Sequence, residues 1–277
     1  MSLSVFAIVL FAAALHAGWN AVVKGASDTL LTAVLIAGFA AVIALCLLPF
    51  LPPMAAASWG YICISAVLQI VYYALVAGAY RISDMSRTYP LMRGMPPVLV
   101  AVASTVALGV TLSVTAWIGV GLISAGLLSL LLATGGVSDP RGMRLAALNA
   151  LVIAAYTLVD GAGVRLSGAP ATYVMWIFVA NGVPMALWAL LWRPEVRIYA
   201  IHNWAYGLVG AVGTLASYGL ALWAMTEAPI PVVAALRETS ILFGTAIAAF
   251  VLKEKVTQMR LAAVLVIALG AATLRLA

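Results

Sequence analysis

The sequence predicts an all-α membrane protein in which ten transmembrane helices form two inverted five-helix repeats. Of the 277 residues, 66% are hydrophobic and only 8% are charged, and the mean hydropathy is +1.17. A soluble domain usually has about a quarter of its residues charged. Apolar runs of roughly 20 residues, the length of helix that crosses a bilayer, recur along the chain, and the two halves share a weak internal similarity.

Short polar breaks such as "KGASDT", "RISDMSR" and "KEKVTQ" separate these apolar runs. The longest break, "TGGVSDPRGMR", lies near the middle of the chain. The predicted helices span residues 3–23, 30–51, 59–80, 88–107, 113–133, 144–165, 171–192, 203–225, 231–252 and 258–276.

A shift of 144 residues aligns the two halves and defines the predicted domains. It lays "LMRGMPPVL" over "ALRETSILF", so that Arg93 falls on Arg237, and it places Gly126 on Gly270. We therefore predict a first repeat over residues 1–134, a connecting loop over 135–143 and a second repeat over 144–277. Five helices per repeat is an odd number, so the second repeat enters the membrane in the opposite orientation, as in many transporters.

The basic residues are scattered singly between apolar runs, which is typical of topology signals and not of nucleic-acid binding. Only Arg165 and Arg275 follow even-numbered helices. Ten others lie at breaks after odd-numbered helices: Lys24, Arg81, Arg87, Arg141, Arg144, Arg193, Arg197, Lys253, Lys255 and Arg260. The positive-inside rule then places both termini outside the cytoplasm.

The sequence has no catalytic or metal-binding motif. It contains no Walker loop, GxSxG, HExxH or Cys-x-x-Cys, and Cys46 and Cys63 both lie in apolar runs. We expect no enzymatic activity, no cofactor and no metal. The expected partners are a small-molecule substrate and the lipid bilayer, with no nucleic acid, and the expected state is a monomer.

Two adjacent charges lie in the ninth apolar run, in "ALRETS". A charge at the bilayer centre costs about 2.5–3.5 kcal/mol on insertion scales, so at least one of Arg237 and Glu238 must face the bundle interior or a wet cavity. Arg237 either meets a substrate carboxylate or a gating partner, or it belongs to a structural ion pair. Arg93, its counterpart in the repeat, has the same alternatives.

Other polar and aromatic residues are also predicted to line a cavity. His16, Asn20 and Lys24 are four residues apart on the first helix, and a lone histidine there is also typical of a hydrogen bond between helices. Asp160 could neutralise an ammonium group or pair with an internal arginine. The further candidates are aromatic or amide residues in the apolar runs: Trp19, Gln69, Tyr73, Tyr80, Tyr156 and Tyr218. Aromatic belts at the membrane interface explain many such residues. Tyr73, Tyr156 and Tyr218 lie too deep for that explanation, which makes them the better cavity candidates.

The chain resembles the EamA-type ten-helix branch of the drug/metabolite transporter superfamily. The resemblance is carried by "HAGWNAVVKG", "ALWAMTEAPIPVVAALRETSILFGTAIAAFVLKEKVT" and "LAAVLVIALGAATL". Members typically have a Gly-Glu-like pair before the last helix of each half. Glu254 holds that position here, and the matching "ALGVTLS" has no charge. The resemblance implies gating roles for Lys24 and Glu254. It also implies cytoplasmic termini, opposite to the orientation that the basic residues predict.

The resemblance implies a secondary carrier in the inner (plasma) membrane that exports small metabolites, with amino acids a common substrate class. Our leading hypothesis is alternating access around a cavity lined by helices 1, 3, 4, 6, 8 and 9. One alternative is a proton-coupled drug exporter with Asp160 or Glu238 as proton carrier. The other is a membrane protein without transport activity, such as a scaffold or an integral-membrane enzyme.

Overall fold

The computed structural model describes residues 1–24, 26–133, 139–251, 253 and 256–277, and all regular structure in these residues is helical. Within these residues, ten helices are long and apolar enough to cross a membrane, which confirms the prediction of an all-α protein with ten membrane-spanning helices. They are α1 (Leu3–Lys24), α2 (Thr29–Leu47), α3 (Trp59–Ile82), α4 (Met85–Leu108), α5 (Val114–Ser129), α6 (Pro140–Ser167), α7 (Pro170–Trp192), α8 (Glu195–Glu227), α9 (Ile230–Val251) and α10 (Gln258–Leu276).

Local side-chain chemistry sets where several helices begin. Asp28 accepts a hydrogen bond from the Leu31 amide at 2.9 Å and caps α2. The Ser113 hydroxyl accepts one from the Ala116 amide at 3.1 Å and caps α5. Such caps satisfy amide groups that have no partner within the first turn, which is especially important where little water is available.

Helices α6 and α8 begin four or more residues earlier than the sequence predicts. Helix α6 begins at Pro140 and not at 144, because Asp139 caps the Arg141 amide at 2.8 Å and proline is favoured in a first turn. Helix α8 begins at Glu195 and not at 203. Its first turns are polar, and a search for apolar runs therefore excludes them. The predicted loop over 135–143 thus includes the first turn of α6.

Helices α4 and α9 are each interrupted at corresponding positions of the two halves. Helix α4 consists of Met85–Gly94 and Pro96–Leu108, and α9 begins with Ile230–Arg237 and continues with Ser240–Ala246. In α4, the two adjacent prolines have no amide hydrogen to donate to the preceding turn. Interrupted helices in matching places of two halves are typical of transporter binding sites.

The interruption in α9 changes the expected position of its two charges. The Glu238 amide bonds the Ala235 carbonyl and the Thr239 amide bonds the Leu236 carbonyl, each at 3.0 Å, so the helix tightens into a three-residue turn. Arg237 and Glu238 therefore lie at a break and not in the middle of a regular helix. At this turn the side chain of Arg237 and the side chain of Glu238 contact different residues.

The packing of the helices is compatible with the predicted repeat. Helix α1 packs on α8, and α6, which occupies the same place in the second half, packs on α3. Helices α4 with α6 and α9 with α1 form a second matching pair of contacts. Helix α2 packs on α7 and α5 on α10, so each helix of these two pairs contacts its own counterpart. When each helix is replaced by its counterpart in the other half, so that α1 becomes α6 and α6 becomes α1, the main contacts between helices are therefore preserved.

Candidate functional site

A cavity of about 230 Å³ lies among the helices, between the two halves. It is lined by α1, α3, α4, α6, α8 and α9, as the sequence predicts, and also by α2 and α7. The lining residues are His16, Trp19, Asn20, Ala33, Ile36, Ala37, Gln69, Tyr72, Tyr73, Tyr89, Arg93, Tyr156, Ile177, Phe178, Asn181, Gly182, Thr214, Ser217, Tyr218 and Arg237.

The structure brings together nine of the residues that the sequence singles out as cavity candidates. They come from α1, α3, α4, α6, α8 and α9 and line the one hollow: His16, Trp19, Asn20, Gln69, Tyr73, Arg93, Tyr156, Tyr218 and Arg237. Within α1, the side-chain amide of Asn20 donates to the His16 carbonyl at 2.7 Å. The His16 ring meets the Trp19 ring edge-on, with 5.3 Å between centroids.

Three other candidates lie outside the lining of this cavity, and two more belong to parts of the chain that the structure does not describe. Tyr80 lines a separate hollow near the junction of α3 and α4, and Asp160 and Glu238 are absent from the lining of the central cavity. Glu254 lies outside the described residues, and so does the side chain of Lys24.

Arg237 is the cation of the cavity that has no carboxylate partner. Its guanidinium carbon lies 5.1 Å from the centre of the Tyr218 ring, in cation–π geometry. Among the described residues it makes no ion pair. A guanidinium that faces a cavity with most of its donors free is well suited to bind a carboxylate, often through two parallel hydrogen bonds.

Arg93 also lines the cavity, but it is already paired. Its Nη2 atom lies 2.9 Å from Oε1 of Glu238, and the two side chains are only 14% and 10% exposed. This ion pair joins α4 to α9 across the two halves, at the break in each helix. The alternative of a structural ion pair therefore describes Arg93 and Glu238, whereas Arg237 remains a candidate for the substrate.

Asp160 lies behind the cavity wall and is fully buried. It accepts hydrogen bonds from the Tyr218 hydroxyl of α8 and from the Tyr173 hydroxyl of α7, the latter at 3.3 Å. The Ser65 hydroxyl of α3 interacts with the same carboxyl group and accepts from Gln69 Nε2 at 3.0 Å. Asp160 thus holds the hydroxyl of the tyrosine whose ring faces Arg237.

The described lining contains residues that the sequence reasoning did not select, among them Tyr72, Tyr89, Asn181, Thr214 and Ser217. The spacing of residues 69, 72 and 73 on α3 is repeated by 214, 217 and 218 on α8, at a shift of 145 residues. That match is a signal in the sequence that could have identified the polar face of α8. Tyr89 follows the polar start of α4, and no pattern in the sequence selects it.

A bundle of ten apolar helices, with two interrupted helices and a polar cavity between its halves, is typical of membrane transporters. Residues 140–276 match the EamA-like transporter family. The chain therefore carries an EamA domain and belongs to the drug/metabolite transporter superfamily, whose EamA branch consists of transporters of small molecules.

Two other comparisons concern curated proteins and solved structures. No curated protein matches this sequence. A solved structure, described as a crystal structure of a protein, superimposes with a TM-score of 0.74 over 98% of this chain and 95% of that one, at 17% sequence identity. This likeness concerns the fold alone.

Proposed function

We propose that the protein is a secondary transporter that exports amino acids or similar small metabolites across the inner membrane by alternating access. The observation that carries the proposal is the position of Arg237, a cation that faces the central cavity without a carboxylate partner. Within a bundle of apolar helices, an unpaired guanidinium favours a ligand that supplies a carboxylate.

The remaining lining suits a small ligand with an apolar or aromatic part. The cavity of about 230 Å³ is smaller than the roughly 300–1,000 Å³ that is typical of drug-sized sites. Tyr72 and Tyr156 meet edge-on at 6.0 Å between centroids, and Phe178 meets Tyr218 in the same way at 6.1 Å. These rings offer apolar faces, and their hydroxyls together with Asn20, Gln69 and Asn181 offer neutral hydrogen bonds.

A proton-coupled drug exporter receives less support from the same geometry. Such a carrier requires a carboxylate that meets both the cargo and water. Asp160 is fully buried and holds two tyrosine hydroxyls, and Glu238 is paired with Arg93. A flux that is independent of an imposed pH gradient fits the proposal, whereas a flux that depends on it favours the antiporter.

The direct test is counterflow of the twenty amino acids into proteoliposomes that contain the purified protein. We expect Arg237→Gln to lower the flux of the best substrate about 10- to 100-fold. This follows because a charged hydrogen bond contributes about 1.5–3 kcal/mol. Arg237→Lys, which keeps the charge, should retain an intermediate flux.

Two results would contradict the proposal in different ways. Unchanged flux through a well-folded Arg237→Gln variant would remove Arg237 from the site. Counterflow of none of the twenty amino acids would contradict this substrate class.

A further inference from the structure

We infer that Glu238 limits the cavity to ligands with a single carboxylate, and that neutral amino acids and monocarboxylates are therefore preferred over dicarboxylates. This inference rests on the proposed use of the central cavity as the cargo site. It goes beyond that proposal because it assigns the selection of ligand charge to a residue outside the lining.

The charges around the cavity support this reading. Among the residues that the structure describes, Arg93 and Arg237 are the two arginines of the lining, and none of these lining residues carries a carboxylate. Glu238 neutralises Arg93 through the 2.9 Å ion pair, so Arg237 is the one of the two arginines whose positive charge is available to a ligand.

A second carboxylate on the ligand would meet no further unpaired arginine among the described residues of the lining. A buried charge without a partner is costly, and the negative charges of Glu238 and Asp160 nearby would oppose it further. Displacing Glu238 from Arg93 would not help, because that would leave the glutamate itself buried and unpaired. One free guanidinium therefore matches one carboxylate.

The cavity offers hydrogen bonds to an uncharged group of the ligand. The neutral amide side chains of Asn20, Gln69 and Asn181 line it. The amide of a ligand can form such bonds without adding charge to the site. The site should therefore accept the amide of glutamine where it rejects the carboxylate of glutamate, although the two compounds have nearly the same shape.

Glu238 has no charged counterpart in the first half, which makes the selection asymmetric. At the shift that aligns Arg93 with Arg237, Glu238 falls on Gly94. The described chain thus has a pair of equivalent arginines and only one neighbouring glutamate between them. Removal of its charge would leave two free guanidinium groups facing one cavity, a pattern suited to a dicarboxylate.

The test measures binding to the purified protein by ligand-induced thermal stabilisation, which does not require transport. The probes are two matched pairs: glutamine with glutamate, and succinamate with succinate. For the wild type we expect the dicarboxylate of each pair to bind at least tenfold more weakly than its amide. In Glu238→Gln this ratio should shift at least tenfold in favour of the dicarboxylate.

Two further variants separate charge from folding. In the double variant Arg93→Gln/Glu238→Gln a single free arginine remains, so the ratio should return to that of the wild type. Glu227→Gln removes an exposed carboxylate at the end of α8 and should leave the ratio unchanged.

Equal binding within both pairs by the wild type would overturn the inference. An unshifted ratio in Glu238→Gln, or no binding of either amide to the wild type, would also overturn it. Selective binding of the amides without counterflow of any amino acid would support the inference while contradicting the proposed transport.

Discussion

Asp160 is a carboxylate in the interior of the bundle that interacts with hydroxyl groups from three other helices. Tyr218, Tyr173 and Ser65 come from α8, α7 and α3, while Asp160 lies on α6. The carboxyl group is fully buried and does not line the cavity. It therefore acts through Tyr218, whose ring lies under the Arg237 guanidinium, and it ties both halves together behind the site.

We expect Asp160→Asn to destabilise the protein. The amide nitrogen replaces one acceptor oxygen with a donor, so one buried hydroxyl loses its acceptor, at a cost of about 1–3 kcal/mol. Thermal unfolding in detergent should show a melting temperature several degrees lower. Asp84→Asn, at an exposed aspartate before α4, is the control, and equal melting temperatures for Asp160→Asn and the wild type would contradict the assigned role.

At the residue scale, the sequence predicted which side chains face inward better than it predicted their partners. Arg237 and the deep tyrosines 73, 156 and 218 line the cavity. A charged or hydroxyl-bearing side chain within an apolar run is unfavourable where it faces lipid. The partnership of Arg93 with Glu238 was not predictable. The repeat relates Arg93 to Arg237 as equivalents, and no helical period reports contacts between α4 and α9.

At the scale of the elements, helices α5 and α10 pack closely through glycines. A Cβ atom added at Gly270 would lie 2.9 Å from the Gly119 carbonyl oxygen and 3.0 Å from the Ile123 amide nitrogen. One added at Gly126 would lie 3.1 Å from the Ala263 carbonyl oxygen. Small residues allow such close approach in membrane helices, and Gly126 and Gly270 are the pair that the internal repeat aligns.

We expect Gly270→Ala to lower stability by about 1–3 kcal/mol, the usual cost of overpacking. The added methyl group would meet backbone atoms, which cannot move aside as a flexible side chain can. Gly121→Ala on α5 is the matched control, because a Cβ atom at that position has nothing within 4 Å. Thermal unfolding in detergent compares the two, and equal melting temperatures would show that the contact between α5 and α10 tolerates the methyl group.

The number of helices was predictable from length and hydropathy, whereas their starts and interruptions were less so. The polar first turns of α6 and α8 contain charged residues, so they look like loops in a search for apolar runs. The break in α9 contains neither proline nor glycine at residues 238–239. Nothing local in the sequence reports that interruption, although the aligned prolines of α4 mark the corresponding one.

At the scale of the whole molecule, the two halves meet around the central cavity and are joined beside it by the ion pair of Arg93 and Glu238. The main helix contacts are preserved when each helix is exchanged with its counterpart. This relation is what a carrier needs to present one site alternately to the two sides of the membrane. The central claim is that the cavity is a water-accessible site and not dry packing.

Cysteine accessibility tests that claim most directly. In a background with Cys46→Ala and Cys63→Ala, Thr214→Cys places a thiol on the cavity lining, and Val212→Cys places one on a residue that is 53% exposed on the apolar exterior. We expect a membrane-impermeant thiol reagent to modify Thr214→Cys from either side of the membrane, more slowly when the proposed amino-acid substrate is present, and to leave Val212→Cys unmodified. A Thr214→Cys thiol that reacts with the reagent from neither side of the membrane would contradict the account.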